Sequence, residues 1–195
     1  NTVFAVKRMI GREFSDPIVQ KYLLNLPFNV IKGDSGKPQI VVTLKGETKK
    51  YYPEEILSMI LHHLKEITEA QLTEKVTDAV ITYPASYNYI QRQIIRDAAK
   101  IAGINVLRMI CDSTAAAISF GINERSNIER NVLVYDLGGG TLSVSILNIK
   151  GGLFEVKATA GDNHLGGEDI DTRLVNYFAD RFQKKHKCDL RQSPR

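Results

Sequence analysis

No stretch of this 195-residue chain approaches the roughly 18 consecutive apolar residues that a membrane-spanning helix needs, so a spanning protein is excluded. Cysteine is scarce. Cys111 and Cys188 stand far apart, which excludes a disulfide framework and fits a reducing compartment, with Cys111 beside Met109 and Ile110 as a small core residue. His62, His63, His164 and His186 are as sparse, and with two scattered cysteines they offer no metal-ligand spacing. Internal repeats, low-complexity runs, an initiating methionine and a signal-like segment are also lacking. The chain closes abruptly on Gln192-Ser193-Pro194-Arg195, so its true termini are expected to lie beyond these residues. Most of the chain also lacks an excess of one charge. The net charge is +4, but Arg181 to Arg195 holds six Lys or Arg against one Asp, so the first 180 residues sum to −1. A basic helix end explains this better than a nucleic-acid surface does.

What is present is ordinary globular material. A hydrophobic share of 43% with 25% charge can bury a core, as one large domain or two small lobes. Asn1 to Gln20 reads as helix-leaning and ends in loop chemistry at Ser15-Asp16-Pro17. Strands are expected at Phe28–Ile31, Gln39–Leu44 and Thr48–Tyr52. Pro53, Glu54 and Glu55 suit the start of a helix, and Ile56, Ile60, Leu64 and Ile67 would form its buried stripe. Val76–Thr82 reads as a strand broken by Pro84. Ile90, Ile94, Ala98 and Ile101 mark a second helix that closes at Gly103. A short buried strand at Asn105–Cys111 and a small helix at Ser113–Gly121 follow. Glu124 to Arg130 is the best boundary. Beyond it a three-strand meander (Asn131–Tyr135, Leu142–Ile149, Leu153–Thr159) leads to a long helix carrying Ile170, Leu174, Phe178 and Phe182. The class is mixed α/β with antiparallel pairs.

Asp136-Leu137-Gly138-Gly139-Gly140-Thr141 is the segment that carries chemistry. A strand delivers a carboxylate to its end, and three glycines then make a turn whose backbone N–H groups can come close to a phosphate. Asp136 would face the hydration shell of Mg²⁺, and Thr141 would hydrogen-bond a terminal phosphate. The bland alternative is a glycine-rich hairpin. Gly36-Lys37 imitates a P-loop, but Ile31 stands where the first glycine should be and Pro38 replaces the Ser or Thr, so it reads as a hairpin turn.

The segment Asp136 to Thr141 resembles the second phosphate loop of the actin, sugar-kinase and 70-kDa heat-shock ATPase fold. Neighbouring phrases are similar to the heat-shock family in particular: Asn1-Thr2-Val3-Phe4 through Lys7-Arg8-Met9-Ile10-Gly11-Arg12, Tyr52-Pro53-Glu54-Glu55-Ile56, Gln91-Arg92-Gln93, Thr114-Ala115-Ala116-Ala117, and Gly161-Asp162-Asn163-His164-Leu165-Gly166-Gly167-Glu168-Asp169. The match covers almost the whole chain and fades near Cys188 to Arg195. It implies a partial actin-like ATPase (ribonuclease H-like) fold, with two lobes of mixed sheets and flanking helices. Residues 1–126 would be most of lobe I and residues 127–195 the start of lobe II.

The resemblance further implies ATP or ADP with Mg²⁺, and potassium as a second cation. It assigns Lys7 and Asp112 to the attacking water, Asp136 to the metal, and Gly138, Gly139, Gly140 and Thr141 to phosphates. Pro84 and Arg92 match an allosteric relay. Lys7 could otherwise be a surface lysine and Pro84 a strand terminator. Gly166 and Gly167 would either adjoin the nucleotide or merely turn into a helix. Implied partners are cochaperones and nucleotide-exchange factors. Unfolded client peptides would be met only through a substrate domain outside these residues, with no nucleic acid and no membrane involved. The implied setting is a stress-responsive protein of the cytoplasm, with the nucleus as an alternative.

Departures concern the chemistry. Ser143 stands where the family has an Asp that helps hold cations and the attacking water. Asp112-Ser113 replaces Glu-Pro, so the carboxylate is shorter by one methylene. Tyr89 replaces a small acidic residue, and Ala5 a typical Asp. The family's first phosphate loop and its adenosine-binding segments are not among these residues, so the chain alone is expected to be inactive. Two rivals are a non-hydrolysing nucleotide- or cochaperone-binding protein, and a sugar kinase or actin-like protein of the same fold.

Overall fold

The computed structural model describes residues 2–24, 26–121 and 128–192. They form two compact units, Asn1–Tyr83 with Tyr87–Cys111, and Pro84–Ser86 with Asp112–Arg195.

In the first unit the helix expected over the opening residues is replaced by a single 3-10 turn, Val6–Arg8. Ala5 enters it at φ 51° and Gly11 follows it at φ 68°. Two left-handed residues so close together break a helical path. Ser15-Asp16-Pro17 then opens a helix rather than closing one. In α1 (Pro17–Leu23) the Asp16 carboxylate accepts the Ile18 N–H at 2.8 Å, and Pro17 takes the first position.

Strands β1 (Asn29–Lys32), β2 (Pro38–Leu44) and β3 (Glu47–Tyr51) make the expected antiparallel meander. The turn between the first two carries Gly36 at φ 80°, and the Gly33 N–H donates to the Lys37 carbonyl. It is a hairpin, not a phosphate loop.

Helix α2 (Pro53–Leu72) begins where Pro53 placed it, with the Glu55 carboxylate accepting the Tyr52 N–H at 2.7 Å. Its buried face differs from the expected stripe. Leu57 is buried and Leu61 packs beside it against Ile10, Tyr87, Ile95 and Ala98, while Ile60, Leu64 and Ile67 are about half exposed. The helical period is right and the phase is off by one position, because the neighbouring helix selects the face.

That neighbour is α3 (Tyr89–Ile101), which joins β4 (Asp78–Tyr83) to the parallel strand β5 (Asn105–Cys111). Ala98 of its expected stripe is buried, but Ile90 and Ile101 are exposed and Ile95 and Ala99 go inward instead. Asn88 and Gln91 form a reciprocal cap: the Asn88 carbonyl oxygen accepts the Gln91 N–H at 2.9 Å, and the Gln91 side chain accepts the Asn88 N–H at 3.1 Å. The Gln91 amide also donates to the buried Ile10 carbonyl at 3.0 Å. Gln91→Ala therefore removes a cap and leaves that carbonyl unsatisfied. A loss of about 2 kcal/mol is expected in denaturant unfolding, against a few tenths for Gln93→Ala, whose half-buried side chain donates to Asp97 at the surface.

The second unit starts without a linker. Helix α4 (Asp112–Gly121) follows Cys111 directly and packs on β6 (Arg130–Leu137) and β7 (Leu142–Lys150). With β8 (Leu153–Asp162) these strands form the expected antiparallel meander, and α5 (Gly167–His186) follows. The sequence boundary between residues 126 and 127 lies outside the described residues. The compact units divide at Cys111 and Asp112, because α4 packs on the meander. Along α5 the stripe of Ile170, Leu174, Phe178 and Phe182 is largely exposed, and Ala179 is the buried residue. Among the described residues no helix is long and apolar enough to cross a membrane.

Candidate functional site

Strand β6 alternates, with Val132, Val134 and Asp136 half-buried and Leu133, Tyr135 and Leu137 exposed. Asp136 thus arrives at the strand end on the face that α4 shares, directly across the ladder from Ser143. The hairpin beyond it closes when the Gly138 N–H donates to the Thr141 carbonyl at 2.9 Å.

None of the three loop glycines adopts the left-handed backbone that glycine usually serves. A Cβ at Gly138 would lie 3.4 Å from the Thr141 carbonyl oxygen, and one at Gly139 would meet nothing within 4 Å. Neither conformation nor crowding inside the protein requires a glycine at 139. Its missing side chain instead leaves an open backbone face, as close approach of a ligand demands.

The loop is braced from behind by α5. The Gly167 N–H donates to the Gly138 carbonyl at 3.0 Å and the Glu168 N–H to the Gly139 carbonyl at 2.8 Å. Gly166 makes this approach feasible, since a Cβ there would lie 2.6 Å from backbone atoms of Gly139 and Gly140. Asp169 fixes the helix start by accepting the Gly166 N–H at 2.9 Å. The pair thus turns into a helix and lies against the loop backbone. Gly161 was missed by sequence reasoning as a contact. A Cβ there would be 2.5 Å from the Leu142 carbonyl oxygen. Its place in the phrase leading to Gly166 was the available signal.

Asp136 is half-buried, and neither its carboxylate nor the Thr141 hydroxyl has a hydrogen-bond or ion-pair partner among the described residues. Asp112, half-buried at the first position of α4, is likewise unpartnered. Partly buried carboxylates without a donor are poorly compensated until a cation or ligand arrives. No group of three or more His, Cys, Asp or Glu among the described residues could hold a metal ion. A single half-buried carboxylate beside an open glycine loop is compatible with Mg²⁺, which keeps its waters and is bound through one or two carboxylates plus phosphates.

Ser143 does not fit the role of a cation ligand. It is 1% exposed, and its hydroxyl accepts the Ala85 N–H at 3.1 Å. That bond, and another between the Ser86 hydroxyl and the Asn163 side chain, hold Pro84–Ser86 in the second unit. Pro84 is fully buried there. The Ser143 hydroxyl carries no charge and is already engaged, so potassium has no carboxylate to meet at this position.

Lys7 and Arg92 belong to the first unit. Val6, Arg8, Met9 and Ile10 are buried around Lys7, which is turned outward with no partner for its ammonium among the described residues. Its carbonyl accepts the Tyr87 hydroxyl at 2.7 Å, which pins the turn. The Arg92 guanidinium lies over the Tyr83 ring, 5.3 Å from its centroid, and donates to the Tyr83 hydroxyl at 3.4 Å. Tyr83 covalently precedes Pro84.

Comparison with known proteins bears on this arrangement. The family model described as Hsp70 protein matches residues 1–195. The chain belongs to the Hsp70 family. The heat shock 70 kDa protein of Neurospora crassa is 56% identical over 195 residues, which is all of this chain and 30% of that protein. Heat shock 70 kDa protein 2 of Paracoccidioides lutzii is 54% identical over the same length and share. A human protein named putative heat shock 70 kDa protein 7 is 53% identical over 190 residues, or 97% of this chain and 52% of its own length. The Hsp70 chain thus spans about a third of the first two relatives. Its mixed α/β architecture, three sheets with flanking helices, is part of the actin-like ATPase fold of the family's nucleotide-binding domain.

Proposed function

We propose that this chain is the phosphate-binding part of an Hsp70 chaperone ATPase, which binds ATP and hydrolyses it to ADP and phosphate. The observation that carries the reading is the open backbone face at Gly139, between an unpartnered Asp136 carboxylate and an unpartnered Thr141 hydroxyl. The open backbone face at Gly139 and the Thr141 hydroxyl would receive phosphate oxygens, whereas the Gly138 N–H is already engaged in closing the hairpin. Asp136 would hold Mg²⁺ through its waters, and the ion would supply the charge that neutralises the phosphates. Asp112 would accept a hydrogen bond from the attacking water, and Lys7 would place its ammonium by water and phosphate. Residues 1–126 would be most of lobe I and residues 127–195 the start of lobe II. Pro84 and Arg92 would relay the nucleotide state to a peptide-binding domain outside these residues. Cochaperones and nucleotide-exchange factors would act on a cytoplasmic protein.

The test is a chimaera in which residues 1–195 replace the matching stretch of the Neurospora crassa relative. ATP affinity is measured by calorimetry with and without Gly139→Val. Space at 139 is open, so the fold should survive. Affinity is expected to fall on the order of 100-fold, about 2.7 kcal/mol, as the side chain fills the phosphate position. Unchanged affinity would make the loop a plain hairpin.

A second reading, binding without hydrolysis, is favoured by buried, neutral and engaged Ser143. Single-turnover phosphate release in the same chimaera separates the two, with Lys7→Ala as the control for genuine turnover.

A further inference from the structure

Asp112 and Ser113, where the resemblance implies a longer acid and a proline, lie side by side at the start of α4. Ser113 is fully buried, and its hydroxyl lies 2.6 Å from that of Ser145, which is 1% exposed on β7. Ser145 is two residues along the strand from Ser143, on the same face, and Ser143 is paired with Asp136. A proline at 113 would lock the backbone at the helix start but could not reach the strand by a hydrogen bond. Serine leaves that backbone free, and the bond to Ser145 restrains it.

We propose that Ser113 is a positioning residue for Asp112, with Ser145 as its anchor on the strand that leaves the phosphate loop. The hydroxyl bond moors the first turn of α4 to β7 and so fixes the origin of the Asp112 side chain. A carboxylate shortened by one methylene has less reach, and misplacement near 1 Å can cost about 100-fold in rate. The mooring replaces the rigidity that proline would supply. Asp112 and Ser113 therefore act as a matched pair, and changing either one alone breaks the match. The inference rests on the reading of Asp112 proposed above, and its test includes a readout that does not.

The experiment uses the same full-length chimaera. Hydrogen exchange at the Ala115 and Ala116 amides, the first in α4 with acceptors four residues earlier, is expected to accelerate about tenfold or more in Ser113→Ala and in Ser145→Ala. The double variant should gain nothing further, since both single changes break one shared bond. In steady-state kinetics Ser113→Ala is expected to lower kcat about tenfold with KM within twofold, the mark of lost positioning rather than lost binding. Asp112→Glu and Ser113→Pro, each deleterious alone, should together recover kcat. Exchange at the start of α4 that is unchanged in Ser113→Ala would overturn the proposal whatever the chimaera hydrolyses. So would additive kcat effects of Asp112→Glu and Ser113→Pro. A chimaera that turns over no ATP would count against the proposed function, and exchange would still decide the mooring.

Discussion

Gly166→Ala is expected to dislodge the phosphate loop, with unfolding free energy falling by about 3 kcal/mol or more and ATP affinity of the chimaera by about 100-fold. Backbone conformation contributes nothing to this loss, because Gly166 has φ −168°, an extended value any residue can adopt. The cause is space. A methyl group would lie 2.6 Å from the carbonyl of Gly139 and the nitrogen of Gly140, both backbone atoms that cannot swing aside as a flexible side chain would. Moving the loop away also breaks the bonds from the Gly167 and Glu168 amides to its carbonyls. The adjacent Gly167→Ala is the control. Its Cβ would come no closer than 3.7 Å to the Gly139 Cα, an ordinary contact, so affinity should stay within about threefold. Thermal unfolding and calorimetry on both variants check this. Equal effects at 166 and 167 would show that the loop is not braced through Gly166.

Ser143→Asp is expected to change stability and turnover in opposite directions. Ser143 is 1% exposed, faces Asp136 across the ladder and accepts the Ala85 N–H. A carboxylate there puts a buried negative charge beside that of half-buried Asp136. Without a cation the variant should lose about 3 kcal/mol, with the loss largest near neutral pH. Like charges that share a site raise the pKa of one of them, so acidification toward pH 5 should relieve part of the loss. Potassium or Mg²⁺ with ATP should relieve it too, and melting temperatures with and without each cation measure this. Turnover of the chimaera, by contrast, should rise on the order of tenfold, about 1.4 kcal/mol, since a carboxylate there would orient the attacking water. Asp112→Glu combined with it should not be additive, because both groups would act on one water. A stable variant with flat turnover and no cation response would remove position 143 from the catalytic centre.

The elements that were legible in the sequence are those set by chemistry within a few residues. Pro53 and Glu55 announced α2, and glycine-rich turns at Leu137–Gly140 and Lys150–Gly152 separated the three strands of the meander, as observed. Asp16 and Pro17 carried equally clear local chemistry, but it was read as an ending when it is a cap. The glycine hairpin after Asp136 was legible because its residue types and order are contiguous. The matched phrases named the family because they are ordered along the whole chain.

Tertiary structure alone decided what depends on residues far apart in sequence. Which face of α2 is buried was set by Ile10 and Ile95, and the period of the helix carries no information about phase. The opening turn is held by the hydroxyl of Tyr87, eighty residues away from Lys7. Nothing in the sequence signals that Ser113, Ser143 and Ser145 are buried, yet folding buries all three with hydroxyls engaged. Burial turns such a hydroxyl from a solvated group into one whose partner fixes its position, because an unpaired polar atom inside is costly. The glycines divide on the same ground. Gly36 and Gly152 were readable from turn chemistry, whereas Gly166 is required by a backbone 26 residues earlier that only the fold brings against it.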